Sequence, residues 1–346
     1  MDNHLLNFTR QRVFPDEDVP LGSIEFLAVT AGAFLPWALA LPSALTRAFR
    51  RPWGDATARL WLLFGLWAVC VIGFFTISPF KLPHYGLPAF PALALLVARV
   101  WDETIEGVPG AVSPRTLLTP LLLLFALVAA AFTAVWSGLV GMPAGALASV
   151  DVATRNLAAK GQSVPPWPLG AWLPILWRGA LIFGLATVAM AVAVWHRATA
   201  LGVGVALATT IAFLSAVAGE GHAQFVRTRA VRPVAQALIA RAGPRDLVAH
   251  EGPIENSAAV LLALGRGVRV VNGLQSNLAF GATFPEARDV FWDAPRLQAA
   301  WAAPGRHYLV STVAPEWSVV RSLPAGNVHV IAQSGGRWLY SNMMDR

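Results

Sequence analysis

Residues 60–78 read LWLLFGLWAVCVIGFFTIS, an apolar run that carries no formal charge. A helix that crosses the hydrocarbon core of a bilayer needs about 20 mostly apolar residues. The length and composition of this run therefore predict a membrane-spanning helix. The whole chain supports this interpretation, because 56% of its 346 residues are hydrophobic and only 13% are charged, whereas soluble domains carry about 25% charged residues.

Five further apolar segments lie on either side of this run. The six predicted spans are approximately Ser23–Leu45, Leu60–Ser78, Tyr85–Trp101, Leu117–Val140, Ala171–Trp195 and Ala198–Gly219. Pro36 and Pro42 are expected to kink the first span, because proline removes a backbone hydrogen bond from a helix interior. Arg178 falls about two turns inside the fifth span, where its long side chain reaches the interface or faces a polar cavity.

Basic residues between the spans predict the orientation of the chain. Arg47, Arg50, Arg51 and Arg59 crowd the first connection, and such a cluster favours the cytoplasmic side of a membrane. Alternation of the spans then places the connection at 79–84, and everything after residue 220, on the opposite side. We therefore expect a multi-pass protein of the cytoplasmic (inner) membrane with an extracytoplasmic C-terminal domain.

Residues 220–346 have the composition of a soluble domain, in which strand-like and helix-like segments alternate. The predicted helices are Arg232–Ala242, Asn256–Leu264 and Pro295–Ala302, and the predicted strands are Leu247–His250, Val268–Val271 and His307–Thr312, followed by a hairpin of Val328–Ala332 and Trp338–Ser341. Such alternation is typical of a small α/β sheet. The predicted organisation is thus an N-terminal segment at 1–22, a six-span region at 23–219 and a soluble α/β domain at 220–346.

The connection between the second and third spans carries the most informative polar cluster. It reads SPFKLPHYGLP over residues 78–88, and it places Lys81, His84 and Tyr85 within five residues, between prolines that restrict the backbone. Lysine supplies charge for a phosphate and tyrosine can donate a hydrogen bond. Lysine and tyrosine are also common interfacial anchors at span ends. Local chemistry alone does not decide between two roles for this connection: a binding site for an anionic head group, or an anchor at the membrane interface.

Several functional classes lack their sequence signals. The net charge of +7 arises from scattered basic residues beside apolar spans, and there is no nucleic-acid-binding motif, so no nucleic acid partner is expected. The histidines show no metal-ligand spacing, and a phosphate-cradling glycine loop and a serine nucleophile elbow are both absent from the sequence. We therefore predict no metal site and no cofactor, and we interpret Asp16-Glu17-Asp18 as a solvated turn.

Residues 81–96, KLPHYGLPAFPALALL, resemble the K-L-P-x-Y-x-L-P-x-x-P-x-L-A signature of the dolichyl-phosphate-mannose–protein mannosyltransferase-like family. That family includes the bacterial enzymes that transfer 4-amino-4-deoxy-L-arabinose from undecaprenyl phosphate to lipid A. Residues 3–8, followed by 32–37, are similar to its H-x-x-R-F … G-x-x-P-W entry into a span, with Asn7 where arginine is usual. The tail, from Arg232 to Asn342, resembles the family's extracytoplasmic C-terminal domain.

This resemblance covers the C-terminal half of the family and implies a GT-C-like, mainly helical membrane fold. It implies a polyprenyl-phosphate-linked sugar and membrane lipid as partners, and it places Lys81 and Tyr85 near the donor phosphate. His84 occupies the variable position of the motif, and Arg178 is a further candidate for the same cavity without a motif match. The family's catalytic acid belongs to a loop with no counterpart here, so no catalytic residue is predicted. We expect the polypeptide to be inactive alone, and its N-terminal half would belong either to the same, longer chain or to a separate partner subunit.

Two other functions compete with a glycosyltransferase. A non-enzymatic membrane subunit would bind the lipid-linked sugar or complete a split enzyme. A transporter would need paired discontinuous helices or charges near the bilayer midplane, and Arg178 is the only charge predicted to lie deep within a span.

Overall fold

A computed structural model describes residues 21–50, 54–79, 81–141, 169–228, 230–274, 278 and 281–344. Contacts divide the described residues into two compact units, a helical unit that extends to Glu220 and a second unit that begins at Gly221. The predicted N-terminal segment is almost entirely outside the described residues, and so is the acidic triplet at 16–18.

Long apolar helices make up the helical unit. In chain order they are α1 (Ser23–Ala33), α2 (Leu41–Phe49), α3 (Ala56–Ile77), α4 (Phe90–Glu106), α5 (Pro114–Trp136), α6 (Leu169–His196) and α7 (Thr199–Thr228), with 3-10 turns at Trp37–Ala40 and Pro83–Ala89. The side chain of Asp55 accepts a hydrogen bond from the Ala58 N–H at 2.6 Å and so caps the start of α3. The last helix, α7, continues past Glu220 into the second unit.

Four of the described helices are long and apolar enough to cross a membrane. They are Ala56–Ile77, Pro114–Trp136, Gly170–His196 and Thr199–Gln224, which correspond to the second, fourth, fifth and sixth predicted spans. The first predicted span is a pair of helices bent by 104° at a break that contains Pro36. The described part of the chain therefore holds up to five spans, where the sequence predicted about six.

The third predicted span, Tyr85–Trp101, is not among these helices. Its first residues belong to the 3-10 turn Pro83–Ala89, which has Pro88 inside it, and only the 17-residue helix α4 follows. At about 1.5 Å per residue α4 is roughly 25 Å long, which is shorter than the hydrocarbon core of about 30 Å. Pro88 lies inside the 3-10 turn and has no backbone N–H, so the turn lacks one of the hydrogen bonds of a regular helix.

The core of the helical unit is built round α4. Leu93, Leu96, Val97 and Val100 of this helix are buried. The longer helices expose large apolar side chains instead, and Leu127 of α5 is 69% exposed. An apolar outer surface of this kind is what a helix presents when lipid surrounds it.

A six-stranded sheet with short helices forms the second unit. The helices are α8 (Arg232–Ile239), α9 (Ala258–Leu264) and α10 (Ala294–Trp301), and the strands are β1 (Leu247–Glu251), β2 (Arg269–Val271), β3 (Phe291–Trp292), β4 (His307–Ser311), β5 (His329–Ser334) and β6 (Arg337–Ser341). The strand order is β3-β2-β1-β4-β6-β5. Strands β1 to β4 are parallel, and the β5–β6 hairpin joins β4 in the antiparallel sense. The predicted α/β fold and C-terminal hairpin are thereby confirmed.

Alternation along the strands creates one core on each face of this sheet. Val248 of β1 packs in a cluster with Leu238 of α8 and Val260 of α9, whereas Ala249 packs in a cluster with Leu297 and Trp301 of α10. The two-residue periodicity of a strand sends successive side chains to opposite faces. Both faces of the parallel part are therefore covered, as parallel sheets require.

The carboxylate of Glu251 closes the end of β1. Glu251 is 1% exposed, and it accepts hydrogen bonds from Ser311 Oγ at 2.7 Å, from Ser318 Oγ at 2.5 Å and from the Val319 N–H at 2.7 Å. In open α/β sheets, ligands usually bind where neighbouring crossovers diverge, here between β1 and β4. These bonds fill that crevice with the chain's own groups, which makes Glu251 a structural carboxylate.

Acid should weaken this unit through His250, whose side chain is completely buried in β1. Burial lowers the pKa of His250 to about 4, against a hydrogen bond with the Gly252 carbonyl that raises it, and the nearby charge of Arg337 lowers it further. Because the unfolded chain takes up this proton near pH 6.5 and the folded unit only near pH 4, stability is lost as pH falls between these values. We expect a loss on the order of 3 kcal/mol across that window. Hydrogen exchange of β1 amides in the full chain, followed from pH 7.5 to 4.5, measures it.

The variant His250→Gln removes the titrating group and should flatten this pH dependence. His329→Gln is the matched control, because His329 is a half-buried histidine of strand β5. An unchanged pH dependence in His250→Gln would show that another group controls the acid response.

Candidate functional site

Lys81 is a nearly buried cation at the end of the helical unit. The residue is 4% exposed, and its Nζ donates to Ser23 Oγ at 3.3 Å. Ser23 in turn donates to the main-chain carbonyl of Thr76 at 2.7 Å. The start of α1, the end of α3 and the Lys81 connection therefore meet in one chain of hydrogen bonds.

The charge of Lys81 lacks a counter-ion within the part of the chain that the structure describes. No described carboxylate lies within ion-pair distance of its ammonium, and the hydroxyl of Ser23 is the acceptor that the described residues provide. Burying an ammonium beside a single neutral acceptor is costly. An anion that reaches this position would gain a charge-assisted hydrogen bond.

Tyr85 and His84 occupy different environments in the adjoining 3-10 turn. Tyr85 is half-buried, and its ring lies 4.8 Å from the ring centroid of Phe75 in α3. The exposed His84 ring meets Tyr85 edge-on, with ring centroids 5.0 Å apart. Tyr85 thus packs against α3. His84 is exposed, as expected for the variable position of the family signature.

Close contact with α1 sets the position of this turn. Gly86 is buried, and a Cβ atom at this residue would lie 2.7 Å from both Oγ1 and Cγ2 of Thr30. Thr30 is also buried, and its hydroxyl has no hydrogen-bond partner among the described residues. Glycine is therefore required at position 86 for α1 to approach the turn between Lys81 and α4.

An apolar cavity of about 390 Å³ opens in the helical unit and has Thr76 in its wall. Its walls come from α1, α2, α3 and α4, and they include Leu27, Leu41, Leu45, Val69, Ile72 and Thr76. Thr76 is the residue whose carbonyl oxygen accepts the hydrogen bond from Ser23. Lys81 is therefore linked to one wall of the cavity through Ser23 and Thr76, and a cation near an apolar groove suits an amphiphile with an anionic head and a hydrocarbon chain.

Arg178 has a partner on the neighbouring helix. Its guanidinium forms an ion pair with the carboxylate of Glu220 in α7 and lies 5.6 Å from the ring centroid of Trp177. These contacts balance its charge, and they do not join it to Lys81. A place for Arg178 in the donor-phosphate site stays a prediction.

Sequence reasoning missed three contributors to these contacts. Ser23 and Thr76 are 53 residues apart, and nothing in the local pattern of either residue indicates that they meet. Glu220 gave a clearer signal, since a carboxylate in an apolar span usually has a basic partner. Within the described residues, no group of three or more histidine, cysteine or acidic side chains is arranged to hold a metal ion.

Comparison with known proteins supports the predicted resemblance. The chain is 30% identical over 166 residues to the undecaprenyl phosphate-alpha-4-amino-4-deoxy-L-arabinose arabinosyl transferase of Pseudomonas aeruginosa, covering 48% of this chain and 30% of the relative. It is 45% identical over 74 residues to the second such transferase of Sodalis glossinidius, covering 21% of this chain and 13% of the relative. The matched residues cover 30% or less of the length of these curated relatives. No protein-family model matches it.

Solved structures confirm the fold prediction. The crystal structure of ArnT from Cupriavidus metallidurans bound to undecaprenyl phosphate matches 96% of this chain and 54% of that chain, with a TM-score of 0.63 and 23% identity. The apo structure of the same protein gives a TM-score of 0.66 at 21% identity and covers 55% of its length. The chain has the fold of about half of ArnT, a mainly helical membrane unit followed by a small sheet domain.

We expect Gly86→Ala to push the 3-10 turn away from α1, because the added methyl group overlaps the Thr30 side chain. Overpacking of this kind typically costs about 1–3 kcal/mol. The thermal midpoint of the purified full chain should fall, and it is measured by intrinsic fluorescence.

The double variant Thr30→Ala/Gly86→Ala should recover most of this loss, because the shorter side chain removes the clash. Thr30→Ala alone is the control and should change the midpoint little, since its hydroxyl has no partner among the described residues. An equal loss in Gly86→Ala with and without Thr30→Ala would contradict the proposed contact.

Proposed function

We propose that this chain forms the donor-lipid side of a membrane glycosyltransferase. The enzyme would transfer a sugar from a polyprenyl-phosphate carrier to a lipid, glycan or protein acceptor at the outer face of the cytoplasmic membrane. One observation carries the proposal: the buried ammonium of Lys81 lacks a counter-ion among the described residues and is linked, through Ser23, to Thr76 in the wall of an apolar cavity. The names of the curated relatives and the undecaprenyl phosphate bound to ArnT support the same class of donor.

The reaction requires stabilisation of a departing phosphate. As the bond between the anomeric carbon and the phosphate oxygen breaks, negative charge grows on that oxygen, and positioned cations and hydrogen-bond donors lower the barrier. In this proposal Lys81 contacts the phosphate and the Tyr85 phenol donates a second hydrogen bond. Arg178 is a further candidate for this role, whereas the exposed His84 contributes only at the rim.

The acceptor hydroxyl must also lose a proton to a base as it attacks. The described residues round Lys81 supply positive charge and hydroxyl groups, and none of them forms an ion pair with Lys81. We propose that the base belongs to the acidic loop of an N-terminal half, supplied either by the same, longer chain or by a separate subunit. The α/β domain would then stand on the extracytoplasmic side of the membrane.

Lys81→Met should weaken binding of undecaprenyl phosphate to the purified full chain. Loss of a hydrogen bond to a charged group costs about 1.5–3 kcal/mol, which corresponds to roughly a 10- to 150-fold rise in Kd. Lys81→Arg should retain most of the affinity, because it preserves the charge. Fluorescence-quenching titration with the lipid in detergent micelles gives the Kd of each variant.

The control for this experiment is Arg115→Gln, which removes an exposed charge at the start of α5. The same lipid without its phosphate, the free polyprenol, should bind wild type and Lys81→Met alike. Equal affinity of wild type and Lys81→Met for undecaprenyl phosphate would refute the site.

A separate test distinguishes an active enzyme from a lipid-binding subunit. We expect the purified chain to bind the donor and to transfer no sugar, because the proposed base lies in another segment. Addition of the N-terminal half of a related transferase should restore transfer, which is followed by thin-layer chromatography of radiolabelled donor. Transfer by the chain alone would contradict the split arrangement, whereas binding without rescue would favour the non-enzymatic subunit.

A further inference from the structure

A second cavity in the helical unit has a chemistry unlike that of the apolar groove. Its volume is about 410 Å³, and it lies between α2 and the loop that follows α4. Ser43 and Arg47, four residues apart, share one face of α2, and Arg50, which directly follows the helix, also contributes to the wall. Gly110 and Val112 line the opposite side.

Ionic contacts hold one of these arginines in place. Arg47 donates to the Gly110 carbonyl at 2.8 Å and forms an ion pair with Glu103. Glu103 also accepts a hydrogen bond from Arg99 Nε at 2.7 Å, and the Arg99 guanidinium lies 4.7 Å from the ring centroid of Trp61. One carboxylate thus serves two guanidinium groups, which leaves the cluster with an excess of positive charge.

Arg50 adds a further charge to the same wall. It is exposed, and the described residues provide it with no ion-pair partner. A cavity with one oriented guanidinium, one unpaired guanidinium and a hydroxyl is suited to an anion with several oxygen atoms. Arginine matches phosphate oxygens through its planar fork of donors.

The position of the cavity along the helices indicates which membrane surface it faces. Arg99, which shares Glu103 with Arg47, contacts Trp61 of α3. Lys81 is linked through Ser23 to Thr76 of the same helix. The intervening 15 residues correspond to roughly 22 Å along the helix axis, most of a hydrocarbon core of about 30 Å. The two cationic sites therefore lie towards opposite membrane surfaces.

We propose that this cavity binds a phosphate group, carried by an acidic membrane lipid of the leaflet opposite the Lys81 site or present as a free anion. Ser43, Arg47 and Arg50 supply the donors, and Glu103 keeps Arg47 aimed into the cavity. Such a site would anchor the bent α1–α2 pair to the membrane surface. The inference does not depend on the proposed transferase activity.

Native mass spectrometry of the full chain tests the proposal. Protein released from nanodiscs of phosphatidylglycerol or of phosphatidylcholine is compared, with the same acyl chains in both. We expect wild type to retain phosphatidylglycerol selectively and Arg50→Gln to retain it roughly fivefold less, as for the loss of one basic residue near an anionic surface. Arg115→Gln is the matched control, because it removes another exposed arginine of the helical unit that does not line the cavity.

A second measurement distinguishes the two sources of phosphate. Inorganic phosphate is titrated into lipid-free detergent solutions of wild type and Arg50→Gln while the thermal midpoint is recorded. Saturable stabilisation of wild type alone identifies a free anion as sufficient, whereas selective retention of phosphatidylglycerol without this effect identifies the lipid. Equal phosphatidylglycerol retention by wild type and Arg50→Gln, or equal losses in Arg50→Gln and Arg115→Gln, would overturn the proposal.

Discussion

A charge among apolar helices requires a partner, and this constraint organises the helical unit. Transfer of an isolated ammonium or guanidinium out of water costs far more than any single packing contact returns. Arg47 and Arg99 share Glu103, and Arg178 pairs with Glu220 on the next helix. The pairs Arg47–Glu103 and Arg178–Glu220 join different helices, whereas Arg99 and Glu103 lie on adjacent turns of α4. Charge balance therefore helps to determine which helices meet.

Two buried charges of the molecule show how the same constraint separates structure from function. The carboxylate of Glu251 receives three hydrogen bonds from its own chain in the crevice between β1 and β4. Lys81 has one neutral acceptor among the described residues, and Ser23 links it to Thr76 in the wall of an open cavity. A saturated charge stabilises a fold, whereas an unsaturated charge at a cavity is a candidate binding group.

Much of the architecture follows from composition and periodicity, as the individual elements show. The apolar run at 60–78 became helix α3, and the alternating segments of the tail became strands within one or two residues of their predicted bounds. The segment Tyr85–Trp101 begins as a 3-10 turn and continues as α4, which hydropathy did not predict because it does not register the backbone hydrogen bond that Pro88 removes. Local chemistry also made Lys81 and Tyr85 candidates for a binding site, but it did not reveal their neighbours.

Contacts between distant segments were beyond the sequence. Ser23 meets Lys81 across 58 residues, and Arg178 meets Glu220 across 42. No local periodicity encodes such pairs, because the tertiary packing of apolar helices decides which polar groups face each other. Glu251 illustrates the same limit in the second unit, where a charged residue in a segment of soluble composition proved to be buried.

In the proposed recognition of a polyprenyl phosphate, the apolar cavity would bind the hydrocarbon chain and Lys81 would bind the phosphate. Burial of hydrocarbon contributes roughly 25 cal/mol per Å² and does not discriminate between chains, so the groove supplies affinity for any isoprenoid. Discrimination between a phosphate and an alcohol depends on the head group, where the ammonium would otherwise remain unpaired. A cavity of about 390 Å³ accommodates a drug-sized molecule, which is smaller than a complete polyprenyl chain. The segment nearest the phosphate would therefore occupy the groove, and the rest of the chain would lie in the surrounding lipid.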